Sequence, residues 1–294
     1  MGYQILKRAT PRIIKAGHIG FCFGVKRAIS AAEGVIGKSK NICSLGPIIH
    51  NPFVVEQLSK KGLKVISDIS QARGLFLIIR SHGMPPAIRK KARAYCAGIL
   101  DTTCPFVSRS HKIVSRLRRQ GYFIVMAGEK RHPEMQALIE TAGPNAVVVT
   151  KPQDIRKIAA KKNKLALVAQ TTISRGIFIK IARALLACDY IECRIFDTIC
   201  NDAQKRQEEA RKLCLAADVI CVVGGKNSAN TKHLAATCRR SGAVTHHIES
   251  ADELKPEWFF KAERIGIVSG ASTPGSMVED VAKKIKNNLT RRSR

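Results

Sequence analysis

The chain repeats one pattern three times, and this constrains its fold more than any other feature of the sequence. Cys22, Cys104 and Cys200 each close an apolar, strand-like run (IIKAGHIGFC, AGILDTTC, CRIFDTIC) and open an amphipathic one. A glycine ends the next apolar run 24 or 25 residues later, at Gly46, Gly128 and Gly225. The amphipathic stretches 25–37, 105–120 and 202–217 place apolar residues at threes and fours, the period of a helix with one buried face. Short apolar runs at 41–46, 122–128 and 219–225 follow, then second helices beginning near 51, 132 and 230, each closing on a glycine suited to a helix C-terminus. Third strands (63–67, 146–150, 243–248), fourth strands (75–83, 165–172, 265–272) and a last helix complete each unit.

Strands alternating with helices across short loops imply parallel sheets covered by helices. The order predicts three pseudo-symmetric α/β lobes: 22–104, 105–199, and 200–288 completed by 1–21, with 289–294 as a basic tail. Residues 1–20 lack acids and resemble a transit peptide in charge, but they carry no long helical apolar face. The run PRIIKAGHIGFC reads as a strand leading into Cys22, so the segment is assigned to the fold.

Open α/β sheets bind ligands beyond the carboxyl ends of their strands. The residues at those ends are His50-Asn51, His132-Pro133-Glu134 and Asn227 to Asn230 after the glycine strands, and Ser81-His82, Gln170-Thr171-Thr172 and Ser272-Thr273 after the fourth strands. Apart from Glu134 these are neutral or cationic hydrogen-bonding groups. Such donors at helix starts suit an anion such as phosphate or diphosphate.

Ten cysteines without a secretion signal argue for free thiols in a reducing compartment, hence a cytoplasmic protein. No C-x-x-C pair or zinc-finger spacing is present, so a metal site must be assembled from distant segments. Three thiols at equivalent repeat positions could hold zinc with a water, or a 4Fe–4S cluster with one iron lacking a protein ligand. The cluster is favoured, because three thiolates make zinc a poor Lewis acid. Helices opening at the cysteines are expected to lower the thiol pKa values and offset thiolate charge. Cys43, Cys96, Cys188, Cys193, Cys214, Cys221 and Cys238 read as small apolar residues. His18 reads as structural, beside Cys22, and His111, His233, His246 and His247 as surface or packing residues.

The net charge of +29 is spread along the chain, and aromatic residues make up only 5%. Stacking platforms for single strands are therefore scarce, and no nucleic-acid-binding motif accompanies the charge, so no specific nucleic acid is expected. No apolar run approaches the roughly 20 residues of a membrane span.

The motifs GFCFGVKRA (20–28), IIHNPFVVE (48–56), RSHGMP (80–85), DTTCP (101–105), GEKRHPE (128–134), AQTTIS (169–174), DTIC (197–200), GGKNSANT (224–231) and SGASTP (269–274) occur in order from about residue 13 to 285. With them the chain resembles the IspH/LytB family, the 4-hydroxy-3-methylbut-2-enyl diphosphate reductases of the methylerythritol phosphate isoprenoid pathway. The resemblance implies a trefoil of three α/β lobes around one 4Fe–4S cluster held by Cys22, Cys104 and Cys200, with one open iron. It implies that His50, His82, His132, Ser228, Asn230 and Ser272 hold the substrate diphosphate, that Glu134 delivers protons, and that Thr171 lies near the substrate alcohol. It further implies reductive dehydroxylation to isopentenyl and dimethylallyl diphosphate, with a ferredoxin or flavodoxin as electron donor, since no nicotinamide or flavin motif is present. The family commonly reads C-x-A-T-x-x-R-Q after its third cysteine, whereas Ala203 occupies the threonine position here. The missing hydroxyl is expected to weaken diphosphate binding by ~0.5–1.5 kcal/mol. Two further functions remain open from sequence: a cluster-dependent paralogue acting on another small anion, and a basic RNA-associated protein on the same scaffold.

Overall fold

A computed structural model describes residues 11–38, 41–155 and 163–290. Lys7, Arg8, Lys161, Lys162 and the end of the basic tail, Arg291 to Arg294, lie outside the described residues. Internal contacts divide the chain into two compact units, Cys22–Gln204, and Met1–Phe21 with Lys205–Arg294.

The unit Cys22–Gln204 contains two four-stranded sheets. The first comprises β2 (Ile42–Leu45), β3 (Leu63–Ile66), β4 (Phe76–Ile79) and β5 (Gly98–Asp101), in the order β3-β2-β4-β5. The second comprises β6 (Phe123–Ala127), β7 (Ala146–Val149), β8 (Lys164–Ala169) and β9 (Glu192–Ile195), in the order β7-β6-β8-β9. The other unit holds β10 (Val219–Val223), β11 (Val244–Ile248), β12 (Arg264–Ser269) and β1 (Arg12–Lys15), ordered β11-β10-β12-β1. Every strand pairing is parallel. The three orders are the same once each strand is numbered within its repeat, and β1 fills in the third sheet the edge place of β5 and β9. The protein is thus three parallel-sheet α/β lobes, as the repeat implies.

Parallel strands are buried on both faces, and each face needs its own helices. In the second sheet Ile124, Met126, Ala166 and Val168 turn to one side. They pack with Val114, Leu117 and Leu138 from helices α4 (Pro105–Arg119) and α5 (Pro133–Ala142). Val125, Ala127, Leu165 and Leu167 turn to the other, against Phe178, Ile181 and Leu185 of α6 (Arg175–Leu186). A fully buried Leu117 or Leu185 adds about 1.5–3 kcal/mol relative to exposure. In the Lys205–Arg294 unit the same division recurs. Ile220 and Val222 pack with Leu213 and Leu234, while Cys221 and Val223 pack with Val278 and Val281.

The helices opened by the three cysteines are α1 (Phe23–Ile36), α4 and α7 (Asn201–Ala216). The second helices, α2 (Pro52–Lys60), α5 and α8 (Ala229–Arg240), are followed by Gly62, Gly143 and Gly242, all at positive φ, which agrees with the C-terminal role expected of them. The remaining helices are α3 (Pro86–Tyr95) and α9 (Gly275–Thr290). One detail of the repeat is corrected. The amides of Gly46, Gly128 and Gly224 donate to Ile66, Val149 and Ile248 respectively, so the equivalent glycine of the third lobe is Gly224 and not Gly225. The spacing from each cysteine is then 24 residues in all three repeats.

Candidate functional site

Cys22, Cys104 and Cys200 all belong to the Cys22–Gln204 unit. Cys22 and Cys104 are the N-cap residues of α1 and α4, and Cys200 directly precedes α7. The Cys22 sulfur accepts the Val25 amide at 3.4 Å. Two of the turns are tied to strand ends in the same way: the Cys104 amide donates to the Ser81 carbonyl at 2.9 Å and the Cys200 amide to the Thr171 carbonyl at 2.8 Å. A methyl group at Gly24 would stand 2.6 Å from the Cys104 sulfur. Glycine is therefore needed two residues after Cys22 to clear space for a thiol from another helix start.

The expectation of lowered thiol pKa values is overturned for two of the three. Burial pushes the Cys104 and Cys200 thiols up, and the backbone N–H groups at Phe106 and Val107, and at Ala203 and Asp202, only partly offset it. Helix starts favour the thiolate as predicted, but desolvation is the larger effect in the protein without a bound cation. An all-sulfur, partly buried donor set that lacks a carboxylate fits an iron–sulfur group better than a hard cation.

Beside these thiols lies a buried acid. Glu134 is 1% exposed in the first turn of α5. Its Oε1 accepts the Thr171 amide at 2.8 Å and its Oε2 accepts the Thr171 hydroxyl at 2.7 Å. Burial raises the Glu134 pKa from 4.5 to about 7, against the pull of the Thr171 N–H and hydroxyl. Thr171 thus connects the acid to the Cys200 turn through its own backbone.

His50, His82 and His132 form one group, with ring centroids 4.5, 5.8 and 5.4 Å apart. They come from the loop before α2, the turn after β4 and the N-cap of α5. The His132 Nδ1 accepts the Glu134 amide at 3.2 Å, which assigns the ring proton of the neutral form to Nε2. His82 is held well below its usual pKa by burial, by the two neighbouring imidazoles and by Arg80. Helices α1, α2, α3 and α4 carry no acid in their first turns, so their positive ends remain uncompensated.

The Lys205–Arg294 unit holds the other expected anion ligands. Ser228 caps α8, its hydroxyl accepting the Thr231 amide at 3.3 Å. Asn230 is buried, and neither its Oδ1 nor its Nδ2 has a hydrogen-bond partner among the described residues. A buried carboxamide without hydrogen-bond partners is costly and leaves both a donor and an acceptor available. Ser272 is buried in the turn after β12. Ala203 is also buried, so no hydroxyl stands at that position of α7.

The other cysteines and histidines divide as expected in part. Cys43, Cys214, Cys221 and Cys238 are buried, whereas Cys96, Cys188 and Cys193 are partly exposed. His246 stacks on Trp258 at 3.8 Å, and His111 contacts the Thr141 hydroxyl at 2.9 Å.

Sequence reasoning set Gln170 among the strand-end residues without giving it a role, and it passed over the contacts of Arg206 and Glu209. Gln170 is fully buried, and its carboxamide accepts the Glu129 amide and donates to the Thr172 hydroxyl, fixing the turn that leads to His132 and Glu134. Arg206 is buried in the second unit and donates to the carbonyls of His18 (2.8 Å), Gly20 (2.9 Å) and Ser269 (3.2 Å). Three residues on, Glu209 accepts the His18 amide at 2.7 Å. The Arg-Gln pair after the third cysteine was the available signal.

Fold and site together define a three-lobed α/β protein in which cysteine turns, a group of imidazoles and a buried acid share one unit. The chain matches the LytB protein family over residues 13–286. It is 40% identical over 278 residues to a 4-hydroxy-3-methylbut-2-enyl diphosphate reductase of Aquifex aeolicus (strain VF5), covering 93% of this chain and 96% of the relative. It is 39% identical over 275 residues to the enzyme of the same name from Geobacter sp. (strain M21), covering 93% and 96%. Among solved structures, it superposes on an (E)-4-hydroxy-3-methyl-but-2-enyl diphosphate reductase, described as the terminal enzyme of the non-mevalonate pathway. The TM-score is 0.68 at 39% identity, covering 94% of this chain and 99% of that one. It also superposes on the E-1-hydroxy-2-methyl-but-2-enyl-4-diphosphate reductase from Plasmodium falciparum, with a TM-score of 0.88 at 27% identity, covering 94% and 88%. The chain belongs to the LytB family.

Proposed function

We infer that the chain is an iron–sulfur oxidoreductase that dehydroxylates 4-hydroxy-3-methylbut-2-enyl diphosphate to isopentenyl and dimethylallyl diphosphate, the last step of the non-mevalonate route. The observation that carries the reading is the Glu134–Thr171 pair tied to the Cys200 turn, in a chain 40% identical to such a reductase over nearly its full length. The reaction breaks the C–O bond of the allylic alcohol, consumes two electrons and two protons, and releases water.

Cys22, Cys104 and Cys200 hold the iron–sulfur group. A 4Fe–4S group on three cysteines, with one iron lacking a protein ligand, supplies single electrons and Lewis acidity toward the alcohol. His50, His82 and His132, with Ser228, Asn230 and Ser272, bind the diphosphate. His132 presents its Nε2–H as a donor, while the anion raises the depressed pKa of His82. Each donor to a phosphate oxygen contributes ~1.5–3 kcal/mol. Glu134, with a pKa near 7, takes its proton on Oε2, since Oε1 accepts the Thr171 amide, and that O–H then donates to the Thr171 hydroxyl oxygen while the Thr171 hydroxyl turns outward. Proton transfer along that pair toward the departing alcohol makes water, not hydroxide, the leaving group.

Electrons come from a ferredoxin or flavodoxin, to which the +29 charge is electrostatically complementary. A cytoplasmic location accords with ten free cysteines. Among the described residues no helix is long and apolar enough to cross a membrane. The family membership favours the reductase over the paralogue and RNA-associated alternatives.

The test is an anaerobic assay on protein verified to contain iron and sulfide, following oxidation of a reduced viologen on addition of the diphosphate substrate. Rapid oxidation is expected, and Cys200→Ser should abolish it. An iron-loaded wild-type protein that leaves the dye reduced overturns the reading.

A further inference from the structure

A surface hollow of about 180 Å³ in the Cys22–Gln204 unit lies against two of the three cysteine turns. Its lining includes Phe106, two residues after Cys104, and Ile199 and Asn201, which flank Cys200. Arg109 of α4 and Arg175 at the start of α6 stand over it. None of His50, His82, His132, Glu134 or Thr171 lines it. The hollow is therefore separate from those groups and lies against the chain that flanks Cys104 and Cys200.

The charges of the hollow are unequal. Its carboxylate, Asp197, is paired with Arg175 at 3.2 Å, and Arg175 also donates to the Gln204 carboxamide at 3.1 Å. Arg109 is exposed and enters no ion pair among the described residues. The same place in the first repeat, five residues after the cysteine, holds Arg27, also exposed, whose guanidinium donates to the carbonyl of Thr103 beside Cys104. Phe23, adjacent to Cys22, is 66% exposed. Arginines with an exposed aromatic side chain are the composition of protein–protein hot spots.

We propose that this face, centred on Arg109 and Arg175 of the hollow, is the docking surface for an acidic one-electron carrier protein, and that electrons enter through the Cys104 and Cys200 turns. The proposal rests on the reductase reading above. Two reduced carriers dock in succession, and each is oxidised by one electron. The two electrons, with two protons, reduce the C–O bond of the substrate and release water. Carboxylates rimming the carrier's redox group meet the unpaired Arg109, and its redox group faces chain no more than two residues from either thiol. Such a surface acts through association rate, so its effect weakens as salt rises.

The experiment compares wild type with Arg109→Glu, the milder Arg109→Ala, and a charge reversal outside the hollow, Lys64→Glu on β3. Binding of a plant-type 2Fe–2S ferredoxin is measured by anaerobic calorimetry at low and high salt. Turnover is then measured with that ferredoxin and, separately, with reduced viologen. Arg109→Glu should weaken ferredoxin binding and raise its KM by about tenfold or more at low salt, with Arg109→Ala intermediate. Viologen-driven turnover and the KM for the diphosphate should stay at wild-type values, and Lys64→Glu should change none of these. Unchanged ferredoxin binding and KM in Arg109→Glu overturns the proposal. So does an equal loss with ferredoxin and viologen, which would place Arg109 in the substrate machinery. So too does wild-type protein that binds orthophosphate at this face and no ferredoxin. Wild type inactive with viologen as well overturns the reductase reading and this proposal with it.

Discussion

Glu134 shows how one residue's surroundings set its chemistry. A carboxyl group in water is ionised at neutral pH, but this one is 1% exposed, and its hydrogen-bond donors among the described residues are the N–H and hydroxyl of Thr171. Burial raises its pKa to about 7, so it can act as an acid at neutral pH. Glu134→Gln should lower turnover by roughly 10²–10⁴-fold while iron content stays unchanged, measured as viologen oxidation. The same shift affects stability. Between about pH 4.5 and 7 the folded protein binds a proton that the unfolded chain has lost, so this contribution is present at low pH and disappears as pH rises through about 7. Denaturation midpoints of Glu134→Gln across that range should lack this part of the pH slope. The acid was legible in the sequence because it is the lone carboxylate among the strand-end residues. Its neighbours His50, His82 and His132 were legible for the same positional reason. What could not be read was the sign of the thiol shifts at Cys104 and Cys200, because helix starts and burial act in opposite directions and only burial needs coordinates. The doublet Gly224-Gly225 hid the true repeat position until the Gly224 amide was seen to pair with Ile248.

At the scale of elements, the helix boundaries followed from apolar periodicity to within about two residues, since each sheet face needs a helix whose inward side repeats at threes and fours. Side-chain to backbone contacts between sequence-distant elements carry no such period. Arg206 and Glu209 are the instance. One turn of α7 presents a cation to the carbonyls of His18 and Gly20 and a carboxylate to the His18 amide. The segment between β1 and Cys22 is therefore held at both polarities by a helix that itself begins at Cys200. Arg206→Met should leave three carbonyl groups without this donor and cost about 1–3 kcal/mol in chemical denaturation. Arg206→Lys should recover part of that loss, because a point charge reaches fewer carbonyls than a guanidinium fork.

For the whole molecule, three lobes of one design carry the candidate site residues. Thiols, imidazoles and the acid belong to the Cys22–Gln204 unit, while Ser228, Asn230 and Ser272 belong to the other. The lobe count and strand order were legible because the repeat is regular. The division into two units was not, since it cuts within α7 between Gln204 and Lys205. The third sheet depends on β1, which pairs only with β12 and places Ile13 and Ile14 against opposite helix layers. Ile13→Ala should cost ~2 kcal/mol. In limited proteolysis, cleavage should then begin in the Lys205–Arg294 unit and not in Cys22–Gln204.

That pairing also orders events during synthesis. β1 pairs with β12, and every other described strand is synthesised between the two. Throughout translation β1 is an unpaired apolar edge with Cys22 only seven residues behind it. The third sheet is complete only once β12 has emerged, so the turn between β1 and Cys22 waits for a long stretch of chain to be made. Shelter of that early strand thereby becomes a requirement on the cell as well as on the fold.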